Sequence, residues 1–142
     1  MKGAILGTVG VVGSGVAYAF GGWDYSIATL LIFMVIDYIS GLVVAGVFHK
    51  STKTVSGSLS SEKCWQGLAK KCMTLIFVII ANRLDVMIGA TYIRDAVCIA
   101  FVINELISII ENAKLMGVPI PAVISKAIDV LNKKDDGRTK DY

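Results

Sequence analysis

From Gly3 to Trp23 the chain carries no charged side chain, and after Asp24 a second run, Tyr25 to Phe48, carries one, Asp37. A helix rises about 1.5 Å per residue, so a hydrocarbon core of about 30 Å is crossed by about 20 residues. Both runs are long enough. No water is available inside a bilayer to satisfy the backbone, so such runs must be helical. The composition points the same way, with 55% of the 142 residues apolar and 18% charged. That balance disfavours disorder, and three cysteines are too few for a disulfide scaffold. The expectation is an all-α integral membrane bundle.

The first run could be a secretory signal, because Ala17-Tyr18-Ala19 follows an apolar stretch like an A-x-A cleavage site. Against removal, Lys2 is the only basic residue before that stretch, and the apolar run continues past the site to Trp23. Retention as a membrane helix is therefore expected.

The second half is more interrupted. Cys72 to Asn82 is apolar but short, and Arg83 and Asp85 break it before Val86 to Ala90 resumes. Arg94-Asp95 precede another run, Ala96 to Ile110, which holds Asn104 and Glu105. Lysine-rich flanks stay on the cytoplasmic side. Lys50, Lys53, Lys63, Lys70 and Lys71 mark residues 49–71 as a cytoplasmic loop, and Lys114 to Lys140 mark the C-terminal segment the same way. An even number of crossings must separate them. With Lys2 inside as well, four spans are expected, three being the alternative, with both termini cytoplasmic. Residues 1–118 then form the membrane domain. Gly117, Pro119 and Pro121 break the last helix. Residues 119–142 form an amphipathic helix, on Ala122 to Lys134 and lying on the inner leaflet, followed by a polar tail. The Ser/Thr-rich stretch Ser51 to Ser61 is expected to be a mobile linker.

Catalysis finds little support in the residues. His49 is the only histidine, no nucleophile lies at a useful spacing from it, and Cys64, Cys72 and Cys98 have no metal-ligand spacing. The lysines lack interleaved aromatics, so a nucleic-acid partner is not expected, and nothing calls for a cofactor or a metal. An enzyme is not expected.

The informative residues are small or polar ones inside the spans. Gly3, Gly7, Gly10, Ser14, Ala17 and Gly21 recur at intervals of three and four, which puts them on one stripe where two backbones can approach closely. The stripe packs either within the chain or as a seam between copies. Asp37 and Ser40 lie in the second span, Asn82, Arg83 and Asp85 in the third, and Asn104, Glu105, Ser108, Glu111 and Asn112 form a polar stripe in the fourth. Polar groups in a membrane are costly and must pair or face water. Either they pair internally, for example Asp37 or Glu105 with Arg83, or they line water in an assembly.

Asp37-Tyr38-Ile39-Ser40-Gly41, Gly67 to Lys71, Ala81-Asn82-Arg83-Leu84-Asp85, and Asn104 to Asn112 followed by Gly117-Val118-Pro119-Ile120-Pro121 resemble, in order and spacing, the phage holin family 4 proteins. That group includes the clostridial toxin-secretion holins, and the resemblance covers about Tyr25 to Lys134. It implies a homo-oligomer in the host membrane whose lesions let a cell-wall hydrolase (endolysin) reach the peptidoglycan, or let a toxin leave, during lysis by a phage or prophage. It supplies no catalytic residue. Two other classes compete: a small transporter exchanging protons at Asp37 or Glu105, and a non-conducting membrane scaffold.

Overall fold

A computed structural model describes residues 1–139, which form five helices and no strand. These are α1 (Lys2–Ala19), α2 (Tyr25–Gly46), α3 (Ser61–Ile88), α4 (Ile93–Leu115) and α5 (Ala122–Thr139). Local chemistry sets the boundaries. Asp24 caps α2, its carboxylate accepting from the Ile27 N–H at 3.1 Å. Gly89 ends α3 in the left-handed region, with φ of 68°. Beyond α4, Gly117 takes a φ of 79°, and Pro119 and Pro121 forbid continuation.

One expectation about α3 needs correction. The loop after α2, expected to run to Lys71 as a cytoplasmic segment, ends at Ser60, because the lysines, Gln66, Leu68 and Ala69 are strong helix formers and supply the first turns of α3. Arg83 and Asp85 interrupt the apolar run but lie inside one continuous helix, since neither residue lacks an N–H or clashes with the turn before it. The shortened connection is also more ordered in its bonding than a linker. Ser51 N–H donates to the Gly57 carbonyl at 3.0 Å, and the Thr54 hydroxyl donates to the Ser58 carbonyl at 2.9 Å.

Helices α2, α3 and α4 make the bundle, with the largest contact between α2 and α4. Asp24 meets Arg94 at one end and Asp37 meets Asn112 further along, so α2 and α4 run parallel. α3 runs against both, with Lys71 beside Asp37 and Asp85 beside Ile93. Between them lies a dry core of Ile27, Leu30, Met34, Val78, Cys98 and Val102, closed at one end by Phe20. The outside is also apolar: Ile32, Val35 and Ile36 on α2 and Ile76, Phe77 and Ile80 on α3 all stand exposed. Exposed apolar side chains grouped in this way mark a surface for contact with protein or membrane. Exposed aromatic residues sit near both ends, Trp23 and Tyr25 at one and Trp65 at the other, where amphipathic rings favour the membrane–water boundary.

By length and composition α1 and α2 are apolar enough to cross a bilayer. α1 buries no residue. Its junction with the bundle is made at its C-terminal end, where the Asn82 side-chain amide donates to the Ala19 carbonyl at 3.1 Å. After the Gly117–Pro121 turn, α5 packs against α4, bringing Leu131 and Lys134 near Asp95, Ile99 and Tyr25. It thus folds back along the bundle, where the sequence pattern placed it flat on the inner leaflet. It also extends beyond Lys134 to Thr139, and the end of the expected tail, residues 140–142, lies outside the described residues.

Candidate functional site

The one cluster of buried opposite charges lying within the helix bundle, among the described residues, forms where three helices meet. Lys71 of α3 reaches between α2 and α4 and donates from Nζ to Asp37 Oδ2 at 2.7 Å and to Glu105 Oε2 at 2.5 Å. The three side chains are only 16, 9 and 7% exposed, so water replaces little of this bonding. The other oxygen of Asp37 is also occupied. Asn112 Nδ2 donates to Asp37 Oδ1 at 3.2 Å and to Ser40 Oγ at 2.9 Å, and Ser108 faces the same carboxylate. One ammonium thus serves two carboxylates, leaving a formal charge of −1 that the hydroxyls and the amide help to spread. Charge-assisted bonds of this kind bind helices that apolar burial alone cannot join inside lipid.

A second polar centre sits at the opposite end. Arg94 is buried, and each of its five N–H groups has an acceptor. Nη1 and Nη2 reach the two carboxylate oxygens of Asp24 at 2.7 and 3.2 Å, a bidentate pair. Nε donates to the Phe20 carbonyl, Nη2 to the Gly22 carbonyl at 3.3 Å and Nη1 to Asp95 at 3.3 Å. Its hydrogen bonding holds the half-exposed Asp24 carboxyl below the usual carboxylate range. Asp85 of α3 completes this end by accepting from the backbone N–H groups of Ile93 and Arg94 at 3.0 and 2.9 Å. A carboxylate at the positive end of a helix is favourable, so Asp85 caps α4 from a neighbouring helix.

The expected polar residues therefore divide. Asp37, Ser40, Glu105, Ser108 and Asn112 come together, and Asn82 and Asp85 hold the opposite end. Arg83, the expected partner of Asp37 or Glu105, is exposed and has no ion pair among the described residues, and Lys71 takes its place. Asn104 and Glu111 are exposed, one residue before Glu105 and Asn112 and thus about 100° round the helix from them. The expected single stripe on α4 is two faces. On α1, Gly3, Gly7, Gly10 and Ser14 are exposed and a Cβ on any of those three glycines would meet nothing, whereas Ala17, nearer the junction with the bundle, is half-buried. Gly21 is different, with φ of 82° and the Asn82 side chain pressed where a Cβ would stand.

Lys71, Asp24 and Arg94 are the residues that sequence reasoning passed over as flank and connection. A signal for Lys71 was present. Gly67, Lys71, Thr74, Val78, Ala81 and Asp85 recur at intervals of four and three, one face of α3, and Arg83 is out of phase with it.

Among the described residues no group of acidic, histidine and cysteine side chains could hold a metal ion. The geometry suits joining helices.

Comparison with known proteins gives the same direction. The chain is 39% identical over 135 residues to an uncharacterized protein of Listeria monocytogenes, covering 94% of this chain and 88% of that one. It is 38% identical over 133 residues to an uncharacterized Listeria innocua protein, covering 92% and 89%. A probable holin of Bacillus phage phi105 is 32% identical over 125 residues, covering 87% and 86%. No solved structure matches. Residues 14–133 match the bacteriophage holin family, and the chain belongs to that family.

Proposed function

We propose that this protein is a holin that oligomerises in a bacterial cytoplasmic membrane and opens lesions through which an endolysin, or a toxin, passes to the wall. The observation that carries the reading is a buried Asp37–Lys71–Glu105 cluster inside a bundle whose outer surface is apolar. In this reading α1 to α4 cross the bilayer with the N-terminus and the α2–α3 loop cytoplasmic, whereas α5, folded back along α4, carries Lys134 to the opposite end beside Asp95 and so away from the cytoplasmic side expected for the C-terminus. α3 and α4 owe their place in the membrane to pairing of their charges, which removes most of the penalty that keeps such segments out of lipid. Dispersed copies keep the cluster internal. In an assembly the polar faces, with Asn104 and Glu111 already outward, border water instead of lipid. A unit charge crossing the field is worth about 2.3 kcal/mol per 100 mV, so loss of the membrane potential favours the change if the cluster moves.

Inducible expression in a bacterium, with and without a co-expressed cytoplasmic cell-wall hydrolase, tests the reading. Sudden lysis after a fixed delay, only with the hydrolase and with collapse of the potential, is the expected result. Growth that continues with an intact potential refutes it. Glu105→Gln should shift the delay at equal expression.

A further inference from the structure

Beside the Asp37–Lys71 pair, on the side of the loop between α2 and α3, lies a cavity of about 60 Å³. A buried water needs about 10–15 Å³ of such space, so several fit. Asp37 and Lys71 form its inner end, Leu42 part of its wall, and Ser51, Thr54 and Ser58 of the loop its floor. Charge faces it from each packed element: Asp37 from α2, Lys63 and Lys71 from α3, Lys53 from the loop, with Glu105 of α4 bonded to Lys71 from behind. In the other direction, toward Arg94, the cluster meets the dry core of Met34, Val78 and Val102.

The floor is held by its own bonds. Gly57 N–H donates to the Thr54 carbonyl at 3.3 Å, and Ser58 Oγ lies 3.4 Å from His49 Nδ1. Gly57 has a φ of 72°, and a Cβ there would run into the His49 carbonyl, so only glycine closes this loop without strain.

We propose that this cavity is a water vestibule joining the Asp37–Lys71–Glu105 cluster to the aqueous phase at the loop end of the bundle, with residues 50–60 as its plug. Polar lining, sufficient volume and a charged end together make the space wet, since empty cavities are apolar. Access is one-sided, because packed Leu, Met and Val side chains close the other approach. The proposal rests on α2 crossing the bilayer.

The test uses full-length protein in its membrane, with Cys64, Cys72 and Cys98 replaced by Ala and one cysteine introduced. Leu42→Cys faces the cavity, and Ile39→Cys lies within one turn of it on the exposed face. The probe is a membrane-impermeant anionic methanethiosulfonate, which three lysines on the cavity wall should attract. Only a hydrated thiolate reacts, so position 42 should be modified at least about tenfold faster than position 39. Gly57→Ala strains the plug and should raise the rate at 42 by a further factor of about five, leaving 39 unchanged. Thr54→Val, which alters no backbone angle, should act in the same direction by less. Equal, slow rates at both positions, with and without the loop substitutions, overturn the vestibule. A fast rate at 42 that neither loop substitution changes overturns the plug. Equal, fast rates at both positions overturn the span of α2 instead.

Discussion

Removing the cation from the charge cluster is the sharpest test of what holds the bundle together. In Lys71→Met the side chain keeps its length and apolar stem but loses two ionic bonds, at 2.7 Å to Asp37 and 2.5 Å to Glu105. The two carboxylates remain, less than a tenth exposed and without a counter-charge, so the formal charge of the cluster goes from −1 to −2. Breaking one partner out of a buried ionic cluster typically costs about 3–5 kcal/mol, most of it the penalty on the charge left behind. Lys70, next to it, is exposed, and Lys70→Met should change stability by no more than about 0.5 kcal/mol. The assay is equilibrium unfolding in mixed micelles, with an anionic detergent as denaturant and helix content as readout. A second substitution separates the mechanism from simple loss of packing. Lys71→Met with Glu105→Gln removes the orphaned negative charge on α4 and leaves Asp37 bonded to Asn112, so it should recover at least half of the loss. The reasoning is refuted if Lys71→Met costs no more than Lys70→Met, or if adding Glu105→Gln deepens the loss.

The opposite end of the bundle offers three further tests. Asp85→Ala uncaps α4 at the N–H groups of Ile93 and Arg94 and should cost about 1–2 kcal/mol in the same unfolding assay, with faster amide exchange at those two residues. For Asp24, the folded carboxyl titrates below its unfolded value because Arg94 bonds its charged form. Its stabilising effect is therefore complete above the unfolded value, near pH 4, and disappears as pH falls through the folded value. Asp24→Asn should destabilise the protein at pH 7, and the difference from the parent should close in acid; a constant difference from pH 7 to pH 2 would exclude the pair as its source. Gly21→Ala places a methyl group against Asn82 in a left-handed backbone, so it should cost about 1–3 kcal/mol, whereas Gly10→Ala, with nothing near, should leave unfolding of the monomer unchanged.

How much of this was readable beforehand depends on the range of the interaction. α1 and α2 were legible because length and uninterrupted apolarity are local properties, and the end of α4 was legible because glycine and proline act on their own backbone. Asp37 and Glu105 stood out as charges in apolar surroundings. Their partner did not, because Lys71 lies 34 residues from each of them and sits among other lysines that mark topology. Charge counting treated it as one flank residue of five, whereas helical phase distinguishes it from Lys70. Arg83 misled for the converse reason: it lies closer to the middle of an apolar segment, yet its phase turns it outward. Hydropathy marks α1 and α2 as candidate spans and not α3 or α4, because that measure scores each charge as if alone, and the charges of α3 and α4 are compensated on neighbouring helices.

The order in which a ribosome makes this chain gives the Arg94 clamp a meaning in time. α1 emerges first, yet the groups that hold its end are Asn82, 63 residues after Ala19, and Arg94, 74 residues after Phe20. Until both have been synthesised, the side-chain bonds from α3 and α4 to the end of α1 cannot form, and the exit of α1 rests on its own turn, where Gly22 N–H donates to the Ala17 carbonyl at 2.8 Å. The earliest of the five helices in sequence is thus joined to the bundle by bonds that form late, and a nascent chain stalled before Arg94 would lack the bond from its guanidinium to Phe20.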